Sequence, residues 1–412
     1  MVAGSVSGTA GQWPPPGPAV SGRAKDGPVL PRRLLFAGAG VVFAGGAGTV
    51  AWQASRPSAG RPPTAARRRA LPRRAALWQA TVSVPRPRVM AAAGGVVCVA
   101  ADTGPYAPQS RARDVVQALN ASDGLHRWTF TVRVGTPGGS FVDPPGLAVS
   151  GGRVYVAADR LSCLRASDGT QLWSASPALV SSWPVAGPEA VYIAPMSLCA
   201  LSRRDGTLLW TVTTGVTSAP ILINGVLYLL TAGSRRDPRV LAVRASDGTK
   251  LWDSPGPQTG WLASDGQILC AVSGSGVLDP DAEPPPGDQP PPAQMWTWRA
   301  SNGQLLWKSA PDAGFGAAPA TTAGIACALT AGPLIAVDPA SGRPLWTYPA
   351  TSPPVAANGK IYTTTPARHL IALNATDGTP AWTFPAPLTL GPLLADNTIY
   401  ICDHTTIHAV PA

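Results

Sequence analysis

One eleven-residue pattern returns seven times along this chain and constrains its fold more than any other feature. Each copy opens mostly on small or apolar residues, has glycine at its seventh position and ends in tryptophan. The seven copies are residues 118–128, 163–173, 200–210, 242–252, 297–307, 336–346 and 372–382. Tryptophan fills only 14 of 412 positions, so a constant Gly-to-Trp spacing in every copy indicates an internally repeated structure.

The chemistry of each copy indicates two β-strands joined by a tight turn. An Asp-Gly, Asn-Gly or Ser-Gly pair marks the turn, because glycine accepts positive φ and the preceding side chain can bond the local backbone. The residues before the turn alternate with period two, as in a strand. Since Trp recurs at one position of the second strand, we expect it to pack on the neighbouring repeat while its indole N–H finds a partner.

Further strands precede each copy and complete a repeat of four. Val154-Tyr155-Val156 and its counterparts form one strand, and a short apolar piece often introduced by proline, as at Pro220, forms another. The repeats average about 40 residues, the length of one propeller blade. A four-stranded sheet cannot bury both of its faces alone, so the repeats must stack around an axis. The sequence therefore predicts an all-β fold, a β-propeller of four-stranded antiparallel blades over residues 76–412.

The two ends of this region predict how the ring closes. After Trp382 the chain supplies three more strands and lacks the fourth. Residues 76–83, which begin Ala76-Leu77-Trp78, resemble the last strand of a repeat. We therefore predict eight blades, with residues 76–83 completing the blade that begins near residue 386 and leaving no major open edge. Two blades carry insertions, at 102–114 and 279–292; the proline-rich second one is expected to be an extended, mobile surface loop, with a polyproline II docking segment as the alternative.

The first 75 residues differ in composition from the repeats. Residues 1–30 are rich in Gly, Pro, Ser and Ala and are expected to be disordered. Residues 31–54 place Arg32 and Arg33 before an apolar run, which looks like a twin-arginine export signal; an uncleaved membrane anchor is the alternative. Residues 55–75 are expected to form a basic, Pro-rich linker, either solvated and flexible or in contact with an anionic membrane surface.

The charge distribution argues against a nucleic-acid partner. The formal net charge is +10, but residues 1–87 hold 12 Arg or Lys and one acidic residue. The rest of the chain holds 20 basic and 21 acidic residues. Because all excess positive charge precedes the repeats, the propeller itself offers no expected basic surface for nucleic acid.

Cysteine and histidine offer little sign of a metal or redox site. The six cysteines form no CxxC pair and fall in apolar strands, so buried inert thiols are expected, although an exported protein also permits disulfides. The cysteines are Cys98, Cys163, Cys199, Cys270, Cys327 and Cys402. His404 and His408 are four apart, a spacing expected to place them on one face of a strand; they could hold a metal, but a half-exposed strand pair is favoured.

The repeated Gly-to-Trp turns resemble those of the PQQ-like, quinoprotein-type repeat family, and the resemblance covers about residues 76–412. It implies the propeller fold predicted above. It is less specific for activity, because family members include pyrroloquinoline quinone and calcium-dependent dehydrogenases as well as non-catalytic scaffolds such as an outer-membrane assembly lipoprotein.

Two functions follow from this resemblance. The first is an exported, non-catalytic scaffold or sensor that is extracellular or membrane-anchored, uses no cofactor and is expected to be a monomer that binds an envelope protein or a small ligand. The second is a pyrroloquinoline quinone and calcium-dependent quinoprotein dehydrogenase. The family's dehydrogenases typically carry adjacent cysteines over the cofactor, which this chain lacks, and glutamate for a calcium site occurs only at Glu189 and Glu283. The scaffold is therefore favoured, with no catalytic or metal-binding residues assigned.

Two tryptophans outside the repeated position are candidate partner-binding residues. Trp183 and Trp261 fall at the start of the first strand of their blades, Trp183 beside Pro184 and Trp261 near the position equivalent to Pro220. The first strand of a propeller blade lines the central channel, so both rings are expected near its mouth, where Trp is a common binding anchor. The alternative is that each ring fills a gap between inner strands.

Overall fold

The structure is a computed structural model, and it describes eleven stretches of the chain. They are residues 71–84, 87–101, 113–133, 146–158, 160–175, 183–194, 197–232, 237–273, 293–310, 315–385 and 390–412. The predicted export signal with Arg32 and Arg33, nearly all of the 102–114 insertion and the whole 279–292 insertion lie outside these residues. Within the described residues there is no helix with the length and apolar character needed to cross a membrane.

The regular elements of the described residues are 32 β-strands in eight four-stranded antiparallel sheets. Blades one and two contain β2 (Pro87–Ala93), β3 (Val96–Ala101), β4 (Arg113–Asn120), β5 (His126–Arg133), β6 (Gly146–Ser150), β7 (Arg153–Ala157), β8 (Leu161–Arg165) and β9 (Gln171–Ala175). Blades three and four contain β10 (Val185–Ala186), β11 (Ala190–Ile193), β12 (Leu198–Ser202), β13 (Leu208–Val212), β14 (Ile221–Ile223), β15 (Val226–Thr231), β16 (Arg239–Arg244) and β17 (Lys250–Pro255).

Blades five and six contain β18 (Gly260–Ser264), β19 (Ile268–Ser273), β20 (Met295–Arg299), β21 (Leu305–Lys308), β22 (Ala320–Thr322), β23 (Ile325–Leu329), β24 (Leu334–Val337) and β25 (Pro344–Tyr348). Blade seven contains β26 (Val355–Ala357), β27 (Lys360–Thr364), β28 (Leu370–Asn374) and β29 (Pro380–Phe384). Blade eight contains β30 (Leu390–Ala395), β31 (Thr398–Asp403), β32 (Thr406–Pro411) and, from the other end of the chain, β1 (Trp78–Thr81).

The predicted eight-bladed propeller and its closure are confirmed. β1 pairs antiparallel with β32, from Trp78 opposite Ala409 to Thr81 opposite Thr406, and supplies the fourth strand of blade eight. The first strand of every blade contacts the first strand of the next, and β30 contacts β2, so the inner strands form an unbroken ring around the axis. Every blade in the ring therefore has a neighbour on each side, so both faces of every sheet are covered.

The core is divided into eight layers, one between each pair of adjacent blades. The second strands contribute most of it, because both faces of these central strands are covered. Val97 and Val99 face blade eight, for example, while Cys98 and Ala100 on the same strand face blade two. A period-two strand buried on both faces therefore reads as a continuous apolar run, which is the pattern of β3, β7, β15 and β19.

Backbone contacts with the blades begin at Pro72, four residues before the predicted start of the propeller at residue 76. The backbone N–H of Arg74 donates to the carbonyl of Thr383 at 2.9 Å, and the N–H of Thr383 donates to the carbonyl of Pro72 at 3.0 Å. Arg73 thereby forms a parallel bridge with Thr383 on β29, the outer strand of blade seven. The last residues of the basic stretch thus lie along the edge of a blade.

Candidate binding site at the axis and the blade interfaces

The repeated tryptophan joins each blade to the next. The Trp128 ring lies on the turn of blade two at Gly169, where a Cβ would come within 2.7 Å of Trp128 Cδ2. Gly169 also has φ of +74°, a conformation that only glycine adopts without strain. The same arrangement recurs at the turn glycine of every copy of the repeat, from Gly124 under Trp78 to Gly378 under Trp346. The packing role predicted for the repeated tryptophans is confirmed.

The indole N–H of these rings bonds a fixed backbone position in the next blade. That position is the carbonyl three residues before the turn glycine. Five rings make this bond, from Trp78, Trp128, Trp173, Trp252 and Trp346 to the carbonyls of Ala121, Ala166, Arg203, Ala300 and Ala375, over 2.7–3.0 Å. Trp210 is an exception: its indole N–H is buried without a partner, and the Ala245 carbonyl accepts from Tyr192 Oη at 2.9 Å instead.

The aspartate carboxylates of the Asp-Gly turns accept hydrogen bonds from the backbone of the turns themselves. Asp168 accepts the backbone N–H of Thr170 at 2.9 Å and pairs with Arg165 Nη1 at 2.9 Å. The Thr170 N–H and hydroxyl, and then Arg165, lower the pKa of Asp168 to about 2. Asp123, Asp205, Asp247 and Asp377 accept the equivalent N–H, and their pKa values are lowered chiefly by the same local hydrogen bonds. These acids stay ionised as turn acceptors.

Arg203 is a residue whose role sequence reasoning missed. It stands where five of the seven repeats have alanine, which was the visible signal. Its side chain bridges blades two and three: Nε donates to Tyr155 Oη at 2.9 Å and the two Nη groups donate to four backbone carbonyls. These five acceptors are all uncharged, so the guanidinium is held by geometry and hydrogen bonds.

The two candidate anchor residues occupy different surroundings. Trp183 lies two residues before β10, is half-buried, and packs on the core layer between blades one and two. Trp261 lies within β18, the innermost strand of blade five, opposite Val272, and is also half-buried. The structure therefore places both near the inner strands and does not bring them together in one blade or core layer.

The cysteines lie on six different blades and are free thiols. Burial raises the pKa of Cys98 and of Cys327 to about 12, and burial together with Cys327 raises that of Cys270 well above its usual range. A thiol in such surroundings stays protonated and is a poor nucleophile. No group of three His, Cys, Asp or Glu side chains that could hold a metal ion occurs within the described residues.

His404 and His408 do not share a strand face. His404 lies in the turn between β31 and β32 with φ of +49°, and its side chain is 81% exposed. His408 lies within β32, where its ring centroid is 5.6 Å from that of Phe384. The prediction that both side chains lie on one face of a strand is wrong, because β32 begins two residues after His404 and the alternation of side chains along a strand does not extend across the turn.

Eight blades, joined at seven of their interfaces by a Trp-on-Gly contact, define a propeller of PQQ-like repeats. The chain belongs to the family described as the outer membrane protein assembly factor BamB, whose model matches residues 111–282 and 297–407. A comparison with curated proteins found no relative.

Solved structures with this fold come from proteins of several kinds. BamB from Moraxella catarrhalis is 15% identical over 81% of this chain and 100% of its own, with a TM-score of 0.57. Saccharomyces cerevisiae Sqt1 is 11% identical over 82% of this chain and 99% of its own, with a TM-score of 0.58. Quinohemoprotein alcohol dehydrogenase from Comamonas testosteroni is 13% identical over 82% of this chain and 76% of its own, with a TM-score of 0.52. At these identities the likeness concerns the fold alone.

Proposed function

We propose that this protein is an exported, non-catalytic scaffold whose propeller binds a protein or a small ligand in the cell envelope. The observation that carries the proposal is the match of most of the repeats to a family described as an outer membrane protein assembly factor. The complete ring supports it, because a closed propeller is a rigid platform whose ends and rim are free to present binding residues.

The chemistry of the conspicuous side chains also supports a binding role. The turn aspartates accept backbone N–H groups and have lowered pKa values, so they are poor general acids or bases near neutral pH. The buried thiols Cys98 and Cys327 have raised pKa values and lack the thiolate character of a nucleophile. These groups stabilise the blades, which leaves partner recognition to surface side chains and channel residues.

Trp261 is the better of the two candidate anchors. It lies on an inner strand, whereas Trp183 packs against a core layer, although both residues are only partly exposed. A partly exposed indole on an inner strand can bury further apolar area on binding while its N–H stays available to a polar partner. We place the partner surface at the end of the channel that carries Trp261.

Capture of the partner tests this proposal. The full-length protein would be cross-linked in its native envelope, and proteins recovered with the wild type would be compared with those recovered with Trp261→Ala. Leu125→Ala is the control, because Leu125 is 64% exposed in the outer turn of blade one, away from the inner strands. We expect Trp261→Ala to lose a specific partner that Leu125→Ala retains, with similar melting temperatures for both. Equal recovery by both variants would refute the role of Trp261, and a large loss of stability in Trp261→Ala would assign it to packing.

Export is part of the proposal. We propose that Arg32 and Arg33 direct the chain across the cytoplasmic membrane and that the apolar run after them either is cleaved or anchors the propeller outside. The anchored form would hold the propeller at the membrane through residues 55–70.

A quinoprotein dehydrogenase is the second candidate, favoured by the fold shared with the alcohol dehydrogenase. A thermal shift on adding pyrroloquinoline quinone with calcium separates the two. A ligand at 100 times its Kd stabilises a protein by about 2.7 kcal/mol, which is measurable. We expect no shift beyond that produced by calcium alone. A saturable shift together with a bound chromophore would overturn the scaffold proposal.

A further inference from the structure

Two blade interfaces hold an arginine side chain beside a member of a Tyr–Trp pair. Between blades two and three, the Arg203 guanidinium lies beside Tyr155, and the Trp173 indole donates to the carbonyl of Arg203. Arg203 Nη2 donates to the carbonyls of Ser150 and Gly151 in the first turn of blade two, at 2.8 and 3.3 Å. Arg203 Nη1 donates to the carbonyls of residues 187 and 188 in the first turn of blade three, at 3.1 and 2.6 Å.

Between blades seven and eight, the arginine comes from a remote part of the chain. The guanidinium carbon of Arg74 lies 5.4 Å from the centroid of the Trp382 ring. Trp382 in turn pairs with Tyr362, with the two ring centroids 6.0 Å apart and the rings tilted by 43°. Arg74 belongs to a segment that pairs its backbone with Thr383. An extended peptide can therefore deliver an arginine to a Tyr–Trp pair at a blade interface.

The interface between blades four and five has the same Tyr–Trp pair. The rings of Tyr228 and Trp252 are 5.8 Å apart and tilted by 44°, as Tyr155 and Trp173 are 6.0 Å apart and tilted by 50°. In both first blades a two-residue turn joins the first two strands, and the tyrosine lies at the same register from it.

The second blade of each pair also matches. The connection between the first two strands has three residues in each blade, 187–189 in blade three and 265–267 in blade five. Arg203 and Ala300 each lie three residues before the turn glycine, and their carbonyls accept the indole N–H of the preceding blade. Ala300 is therefore the counterpart of Arg203, and Gly266 is the counterpart of Pro188.

A cavity lies where blade five has only this alanine. Its volume is about 180 Å³, and it is lined by Asn224, Tyr228, Leu251, Trp252, Gly266 and Ala300. The carbonyls that correspond to the four acceptors of Arg203 belong to residues 223, 224, 265 and 266. The cavity thus combines a tyrosine, a tryptophan and backbone acceptors with no arginine from its own chain in Arg203's place.

We propose that this cavity is a binding site for the guanidinium group of an arginine side chain carried by a partner protein. This names a chemistry for the partner of the scaffold and rests on that proposed function. A planar cation with five N–H donors matches a niche of carbonyl and phenol oxygens, and a ring face beside it adds cation–π attraction. Arg203 is an internal example of the hydrogen bonds to carbonyl and phenol oxygens, and Arg74 is an internal example of the ring contact.

One difference refines the geometry. Blade four has Asn224 where blade two has Gly151, and a Cβ on Gly151 would come within 2.4 Å of Arg203 Nη2. A guanidinium between blades four and five must therefore lie further from that turn, within the cavity, because the Asn224 side chain, whose Nδ2 lies beside Gly266, takes part of the space that Gly151 leaves for Arg203. Asn224 has φ of +49°, so glycine fits its backbone without strain.

Agmatine, which carries a guanidinium on a flexible chain, is the probe. It would be titrated into the full chain by calorimetry, with the indole N–H resonance of Trp252 as the local reporter. For so small a ligand we expect a dissociation constant on the order of 1 mM. 1,5-Diaminopentane, which offers ammonium groups without the planar fork, should bind at least about tenfold more weakly.

Three variants fix the location. Asn224→Gly should tighten agmatine binding severalfold by restoring the space that Gly151 gives Arg203, and Ala300→Arg should abolish it by filling the cavity. Arg203→Ala should create a second site, raising the stoichiometry from one to two, and its lost thermal stability should be partly restored by agmatine.

Equal binding of agmatine and 1,5-diaminopentane, or an affinity unchanged in Asn224→Gly, would overturn the proposal even if Ala300→Arg failed to fold. Binding that persists unchanged in a folded Ala300→Arg would do the same. Either result leaves the scaffold function standing, because partner capture by the wild-type protein is measured separately.

Discussion

Two glycines in blade two separate the backbone requirement of a turn from the contact that joins blades. Gly169 and Gly152 have nearly the same positive φ, +74° and +72°. A Cβ on Gly169 would lie 2.7 Å from Trp128 Cδ2, whereas a Cβ on Gly152 would meet nothing within 4 Å. Alanine at either position suffers the same backbone strain, so the difference between the two variants measures the Trp-on-Gly contact.

The magnitudes follow from the geometry. Left-handed backbone costs an L-residue about 1–2 kcal/mol, which is the whole effect expected for Gly152→Ala. In Gly169→Ala the Trp128 ring must also move, and it is only 6% exposed and has neighbours on every side. Overpacking of this kind costs about 1–3 kcal/mol, and weakening the 2.9 Å bond from Trp128 Nε1 to the Ala166 carbonyl costs about 1 kcal/mol more. We expect Gly169→Ala to be about 3 kcal/mol less stable than Gly152→Ala.

Equilibrium unfolding in urea, followed by tryptophan fluorescence and by circular dichroism, measures this difference. Coincident transitions by the two probes and a common m-value are needed before midpoints are converted to free energies. The wild type and both variants would be compared at one pH and salt concentration. Equal midpoints for Gly169→Ala and Gly152→Ala would refute the conclusion that the repeated tryptophan locks adjacent blades.

Three further predictions concern closure, export and pH. Deleting residues 78–81 removes β1 and the Trp78 ring from blade eight, a loss of about 3–5 kcal/mol for the ring alone, and an unchanged melting temperature would contradict the closure. Changing Arg32 and Arg33 to Lys keeps the charge and should block a twin-arginine route; unaltered export, measured by fractionation, would indicate another route. Burial lowers the pKa of His408 below its ordinary 6.5, and the charge of Asp403 opposes this shift. The stabilisation of the folded state by neutral His408 is therefore present above pH 6.5 and is lost as pH falls through the lowered pKa. His408→Gln should flatten that part of the dependence of the free energy of unfolding on pH.

The propeller could be predicted because its signals are local in sequence. Each Asp-Gly turn specifies its own conformation: the carboxylate of Asp168 bonds the N–H two residues on, and Gly169 adopts positive φ. The strands on either side follow from period two, and counting them predicted both the number of blades and the return of β1 to β32. A single Gly-to-Trp turn is only a weak indication of this fold, but seven copies at a constant spacing make the prediction strong.

What fills each blade interface was decided only by the tertiary structure. Arg203 stands out in the alignment of repeats, but its bridging role depends on carbonyls from the first turns of two blades, up to 53 residues away. Arg74 and Trp382 meet although they are 308 positions apart, because closure brings the start of the chain to the edge of blade seven. The Trp210 indole likewise lacks the partner that its repeat position predicts, although Tyr192 bonds the corresponding carbonyl of Ala245. The conformation of a turn depends on residues that are adjacent in sequence. Which side chain fills the space between two blades depends on residues that only the packing of neighbouring blades brings together.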